Sequence, residues 1–268
     1  MDDKTLKRLQ EIEAEILVVV DEFCKKHNVK YSLYAGTALG AVRHGGFIPW
    51  DDDIDVCMER TEYERFLNLW QSEGVDGYTI QATNNPYYEG ISHTKIIKEG
   101  IILASKEENE SSSNYGIWLD IFPLDKVPQD KKARKKFFFR AKLRMIYTRG
   151  YPYKKGGKFL EIVSKILLLR SRKSRLKARN KLEKKLLKYQ SLQEGYDLMS
   201  LSCPEGLRIV YPGNMMDEIT KIKFGELEVS ISTRWHEMLE ANFGDYMTLP
   251  PEEQRVCKHE SEIIELGK

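Results

Sequence analysis

"YAGTALGAVRHGGFIPWDDDIDVCM" runs from Tyr34 to Met58, and its reading decides the fold. Strand-like residues stand at both ends, with the preceding "YSLY" at one and "DIDVCM" at the other. Between them "TALGAVRHGG" reads as a short helix closed by a glycine pair. Asp51, Asp52, Asp53 and Asp55 crowd the entry to the second strand. Carboxylates about 4 Å apart repel by ~1 kcal/mol in water, and several-fold more in a partly buried site. Acidic turns rarely run straight into a β-branched strand, so a merely solvated turn is the weaker reading. Something positive is expected among these side chains.

Side chains alternate along a strand, so Asp53 and Asp55 are expected to face one way, with Ile54 and Val56 facing the other. Paired carboxylates on a strand edge make a hard-oxygen site of the kind Mg²⁺ shares with substrate phosphates. Asp51 and Asp53 form a second Asp-x-Asp, which leaves the ligand set open at Asp51 and Asp52. Asp120, within "GIWLDIFPL", is the expected third carboxylate, since a lone acid on an apolar strand is costly to bury unless paired or metal-bound. Gly36 and Thr37 fall between strand and helix, where free N–H groups and a hydroxyl meet phosphate oxygens.

Working outward, Leu6, Leu9, Ile12, Ile16, Val19 and Phe23 predict an amphipathic first helix. "TEYERFLNLWQ" predicts a helix with a Thr61–Glu64 capping box. Strands are expected at "GYTIQA", "HTKIIK", "IILAS" and "GIWLDIFPL", a hairpin around Phe224–Gly225, and a helix at "TRWHEMLEANF" capped by Thr233. "GDYMTLPPEEQRVCKHE" reads as a tail. The fold class expected is α/β (α+β): a nucleotidyltransferase-like mixed sheet flanked by helices. A single catalytic domain would then comprise a core over 1–128, a basic helical insertion over 129–190 and a C-terminal hairpin-helix elaboration over 191–268.

The net charge of +2 hides an asymmetry. Residues 126–188 hold 24 Lys and Arg against three acids, and the remainder holds 19 bases and 38 acids. "IVSKILLLRSRKSRLKARNKLEKKLLKY" sets apolar residues beside this charge, the pattern of an interfacial helix, so peripheral contact with an anionic membrane is expected. No nucleic-acid reading motif accompanies the basic run. The four cysteines are scattered without a C-x-x-C pair, which fits neither a disulfide framework nor a zinc site. An acidic helical start is no signal peptide, and no apolar run reaches the ~18 residues that span a bilayer. A cytoplasmic protein at the inner face of the membrane is the expectation.

The order strand, Gly-Thr, helix, Asp-x-Asp and later Asp resembles the nucleotidyltransferase superfamily with a polymerase-β-like core. "YAGTALGAVRHGGFIPWDDDIDVCM", "WLDIFPLD" and "FGDYMTLPPEEQRVCKHE" together resemble the LicD-type phosphocholine transferase family, to which fukutin-like phosphotransferases are related. The resemblance implies transfer of phosphocholine, or a related phospho-alkanol, from CDP-choline or a similar CDP-alkanol. The acceptor would be a sugar hydroxyl of a lipid-linked glycan, in lipopolysaccharide or a teichoic acid precursor, and CMP would leave.

Two Mg²⁺ ions, or Mn²⁺ in their place, would sit on Asp53, Asp55 and Asp120, with Asp51 a further ligand. Asp120 would also orient or deprotonate the acceptor hydroxyl. Arg43, His44 and Lys95 would neutralise phosphate charge, and His259 would contact substrate. A quaternary ammonium is held on aromatic faces; Trp50 is the first candidate, with Tyr34, Tyr87, Tyr88 and Trp118 behind it. Two alternatives stay open: a nucleotidyltransferase leaving NMP on its acceptor, and a non-catalytic membrane or nucleic-acid adaptor.

Overall fold

The computed structural model describes residues 1–81, 93–105, 115–152, 158–202, 209–257 and 261–265. The elements begin with α1 (Asp3–His27), β1 (Ser32–Leu33), α2 (Ala35–His44), β2 (Asp55–Glu59), α3 (Arg60–Glu73) and β3 (Tyr78–Gln81). They continue through β4 (Thr94–Ser105), β5 (Tyr115–Pro128), α4 (Lys131–Arg149), α5 (Lys158–Leu168) and α6 (Arg172–Leu187). The last are β6 (Tyr196–Ser200), β7 (Tyr211–Pro212), β8 (Ile219–Phe224), β9 (Leu227–Ser232), α7 (Trp235–Phe243) and β10 (Ser261–Glu265). Two compact units result: Met1–Ala82 with Thr94–Phe122 and Met215–Lys268, and Thr83–His93 with Pro123–Asn214.

The first unit is a mixed sheet with helices, as the sequence predicts. Its strand order is β1-β2-β5-β4-β10, and β3 also pairs with β4. β2, which begins at Asp55, therefore lies inside the sheet rather than at its edge. β4 runs antiparallel to β5 with Lys95 opposite Asp120. α1 buries Leu6, Leu9, Ile12, Ile16 and Phe23 of the expected stripe, with Leu17 and Val20 beside them, while Val19 is half-buried. Asp2 starts it by accepting from the Thr5 amide at 2.8 Å, and Asn28 ends it in the left-handed region.

The predicted hairpin is β8–β9, turned at Gly225–Glu226. Gly225 N–H donates to the Gly45 carbonyl at 2.6 Å, and a Cβ on Gly46 would stand 3.3 Å from Gly225 N. The glycine pair that closes α2 thus also admits the hairpin.

The second unit holds the basic stretch as three helices, α4, α5 and α6, together with the end of β5, β6 and β7. Leu124–Pro128 of β5 pair antiparallel with β6, and β6 pairs with β7. Phe137, Ala141 and Met145 of α4 close over Val127, Leu186, Met199 and Leu201 as its core. Among the described residues no helix is long and apolar enough to cross a membrane.

Four local expectations need correction. β2 begins at Asp55, so Asp53 precedes the strand, although the alternation of burial extends back to Ile54. The segments around "HTKIIK" and "IILAS" form one strand, β4, whose pairing with β5 shifts register between Lys98 and Leu103. α3 begins one residue before Thr61, at Arg60, with Glu59 at its cap position and no side-chain cap. Thr233 does not cap α7; its hydroxyl donates to the Glu218 carbonyl, and Arg234 holds the cap position.

Candidate active site

All the site residues described below fall in the first unit. The Asp120 amide donates to the Ile54 carbonyl at 2.9 Å, which ties β5 to the entry of β2 and sets Asp120 beside Asp55. Ile117, Leu119 and Ile121 are buried on one face of β5, which leaves Trp118 and Asp120 on the other. The Asp55 amide donates to the Thr37 hydroxyl at 2.8 Å. Thr37 is buried and braces the start of β2. Gly36 lies directly against Asp51: a Cβ there would stand 2.8 Å from Asp51 Oδ2. The residue before it, Ala35, holds φ at 44°, a conformation that costs a non-glycine residue roughly 1 kcal/mol.

The positive group expected among the aspartates is Lys95. Its Nζ stands 3.6 Å from Asp120 Oδ1 and 3.5 Å from the centre of the Trp118 ring. Trp118 Nε1 donates to Asp120 Oδ2 at 3.3 Å. Burial lowers the Lys95 pKa, opposed by Asp120, Asp55 and Asp53. Asp55 is held well above the usual carboxylate range by burial first, then by Asp53, Asp120 and Asp51, with Lys95 opposing.

The sequence reading missed a fifth acid. Glu13 of α1 is 2% exposed, and its Oε2 has no hydrogen-bond partner among the described residues. Burial raises it well above its ordinary value, and Asp53, Asp52, Asp51 and Asp55 add to the effect. The signal was available: Glu13 sits on the apolar stripe between Leu9 and Ile16. Gln10, one turn earlier, holds the acidic loop by donating to the Asp51 carbonyl at 2.8 Å.

Over Asp51, Asp52 and Asp53 opens a cleft of about 890 Å³. Trp50 and Arg43 line it from one side, and Phe243, Asp245, Tyr246 and Glu253 from the other. The presumed tail is therefore a wall. Arg43 Nη1 donates to the Tyr246 carbonyl at 2.8 Å, and Cys257 Sγ lies 3.4 Å from Asp52 Oδ2. Burial, then Arg255, lowers the Arg43 pKa; burial, then Arg43, lowers that of His44. The His44 ring meets Trp50 edge-on at 6.0 Å.

Two aromatic candidates are engaged by other side chains. Tyr34 is buried against Phe122, and Lys95 covers a face of Trp118. His259, Tyr87 and Tyr88 lie outside the described residues.

The donor set suits a hard cation. Asp51, Asp53, Asp55 and Asp120 offer only carboxylate oxygens, and Lys95 is the amine that faces them. The grouping of carboxylates that raise one another's pKa is the observation that fits Mg²⁺. As they stand, no three such side chains among the described residues converge closely enough to share one ion.

A sheet with carboxylates on adjacent inner strands, continued by an acidic loop that lines a cleft with cationic and aromatic groups, has the build of a phosphoryl- or nucleotidyl-transfer core. Comparison with known proteins narrows the class. Residues 28–151 match the family model described as the LicD/FKTN/FKRP nucleotidyltransferase domain. The lipopolysaccharide cholinephosphotransferase LicD of Haemophilus influenzae is 31% identical over 265 residues, which cover 97% of each chain. An uncharacterised protein of Rickettsia prowazekii is 34% identical over 135 residues, 50% of this chain and 42% of its own. The chain belongs to the LicD family.

Proposed function

We propose that the protein transfers phosphocholine, or a related phospho-alkanol, from a CDP-activated donor to a sugar hydroxyl of a lipid-linked glycan, with release of CMP. The observation that carries this reading is the Asp120–Ile54 hydrogen bond, which brings Asp120 beside Asp55, next in sequence to the acidic loop that lines the cleft. The name of the Haemophilus influenzae relative supports phosphocholine as the group moved and lipopolysaccharide as the acceptor.

In this reading Asp53, Asp55 and Asp120, with Asp51, hold Mg²⁺. When bound, the metal neutralises the diphosphate and makes its phosphorus electrophilic. Asp120 orients the acceptor hydroxyl and takes its proton as the new oxygen–phosphorus bond forms. The phosphoanhydride bond breaks, and CMP leaves with the electron pair. Arg43 faces the phosphates from the cleft wall and His44 assists; Lys95 offsets charge from beneath. Gly36 lets the backbone approach the phosphates closely, and Thr37 fixes the strand that carries Asp55. Trp50 offers an aromatic face to the choline ammonium, with Phe243 and Tyr246 across the cleft. A lipid-borne acceptor places the enzyme at a membrane surface, the inner face in a cytoplasmic setting.

The test is product identity after incubation with CDP-choline, Mg²⁺ and lipopolysaccharide. Free CMP and choline phosphate on the glycan are expected. Free phosphocholine, with CMP on the acceptor, would instead assign nucleotidyl transfer, the chemistry named by the family description.

A further inference from the structure

The second unit turns aliphatic, aromatic and cationic side chains to water on its three helices. Along α5 and the residue after it, Ile162, Ile166 and Leu169 are 55%, 60% and 84% exposed, while Ser164 is fully buried. Their spacing of four and three residues makes one stripe. Val163, Leu167 and Leu168 are half-buried, so the exposed stripe adds aliphatic surface beyond what the helix packs inward. Lys158 and Lys165 flank the stripe. On α4, Phe139 is 65% exposed, with Lys132, Lys135, Lys136 and Lys142 exposed around it. On α6, Lys177, Lys181, Lys184, Lys185 and Lys188 line a concavity of about 610 Å³.

The three acids between Lys126 and Lys188 are engaged within the same unit. Asp130 caps α4 by accepting from the Ala133 amide at 2.8 Å. Glu161 pairs with Lys165 at 2.7 Å, and Glu183 with Arg144 at 3.3 Å. Lys177, Lys181, Lys184, Lys185 and Lys188 are each exposed, so an external anion can reach them.

We propose that this face docks on an anionic lipid bilayer, the Ile162–Ile166–Leu169 stripe entering the acyl boundary and the lysines meeting headgroup phosphates. Two features select that partner. Aliphatic side chains find little on a nucleic acid, which is held by aromatic stacking and polar contacts. A second copy of the same face would bring like charge against like. An anionic bilayer satisfies the stripe and the lysines together. The inference deepens the reading of a lipid-linked acceptor, but vesicle binding reads it without turnover, so the two fail separately.

The experiment is sedimentation of the full chain with phosphatidylcholine vesicles, with and without 30% phosphatidylglycerol. Binding is expected with phosphatidylglycerol, is absent with phosphatidylcholine alone, and weakens in 0.5 M NaCl. Replacing Lys181, Lys184 and Lys188 by Gln lowers affinity by roughly fivefold per residue. The triple variant Ile162→Ser, Ile166→Ser, Leu169→Ser lowers it by roughly tenfold or more with an unchanged melting temperature. In a separate variant, Leu169→Trp, the emission shifts to the blue on anionic vesicles. No vesicle binding, an unshifted emission, or full affinity in the serine variant overturns the proposal. So does retention of a mixed-sequence single-stranded RNA without vesicle binding, which would hand the face to nucleic acid. Self-association that the serine variant abolishes would hand it to a second copy.

Discussion

Lys95 and Asp120 face each other across β4 and β5, Nζ to Oδ1 at 3.6 Å, with the lysine laid on the Trp118 ring. The amine is held from both sides in the middle of a carboxylate cluster. Lys95→Met keeps the aliphatic contact with Trp118 and removes the charge. Turnover is expected to fall by roughly 100-fold, the scale of losing one electrostatic stabiliser. Circular dichroism should show the fold retained. Turnover near wild type would make Lys95 a structural partner of Asp120 alone.

Asp53→Asn tests the proposed ligand set, because Asp53 is exposed at the mouth of the site and the substitution preserves its volume. Turnover is expected to be lost while the melting temperature stays within a few degrees of wild type. Retained activity would remove Asp53 from the metal site.

Gly36 and Gly40 separate positioning from packing. A Cβ on Gly36 meets the mobile end of Asp51 at 2.8 Å, whereas one on Gly40 meets the Gly46 carbonyl at 2.4 Å. Gly40→Ala is therefore expected to destabilise by about 1–3 kcal/mol through backbone overpacking. Gly36→Ala should fold almost normally and lose roughly 10- to 100-fold in turnover, because it displaces Asp51. Thermal melts beside kinetics distinguish the two.

Asp55 and Glu13 make the metal-free protein sensitive to base. Both carboxyls are held well above their ordinary values by burial, then by neighbouring aspartates. The folded state then keeps protons that the unfolded chain has released. Stability is full below the unfolded-state pKa, about 4, and declines as pH rises through the folded-state values. With EDTA, the melting temperature is expected to fall as pH rises above the ordinary carboxylate range. Glu13→Gln should flatten that slope, and Mg²⁺ should raise the melting temperature more at the alkaline end than at the acid end. A flat profile for the wild type would contradict the assignment.

Asp21 gives the opposite sign. Burial raises its pKa, but the bonds from Lys25, Tyr31 and Lys221 together outweigh burial and lower it. The Tyr31 hydroxyl donates to it at 2.7 Å. Its contribution is present above the unfolded-state pKa and is lost as pH falls through the folded one. Asp21→Asn is expected to cost about 1.5–3 kcal/mol at pH 7 and progressively less in acid. Urea unfolding at pH 7 and pH 3 would show the difference.

Much of this was legible in the sequence, for reasons that differ by residue. Asp55 and Asp120 could be read because each is a carboxylate on an apolar strand, a conflict that only a partner resolves. Lys95 was named for phosphates; its seat against Trp118 depends on the β4–β5 register, which no local pattern encodes. Glu13 broke the apolar stripe of α1 and could have been found by the argument that found Asp120. The cleft wall from Phe243 to Val256 could not. It has little regular structure, and its place beside Asp51 is set by contacts about 200 residues apart in sequence, such as Arg43 with Tyr246. The caps expected at Thr61 and Thr233 failed because strand endings, rather than capping side chains, fix where α3 and α7 begin.

The central claim is that the aspartate cluster binds metal together with a CDP-alkanol. Calorimetric titration of CDP-choline into the wild type and Asp53→Asn, each with Mg²⁺ and with EDTA, tests it most directly. The account predicts binding by the wild type with Mg²⁺, and its loss both in EDTA and in the variant. Equal binding in all four titrations, or none in any, would contradict it.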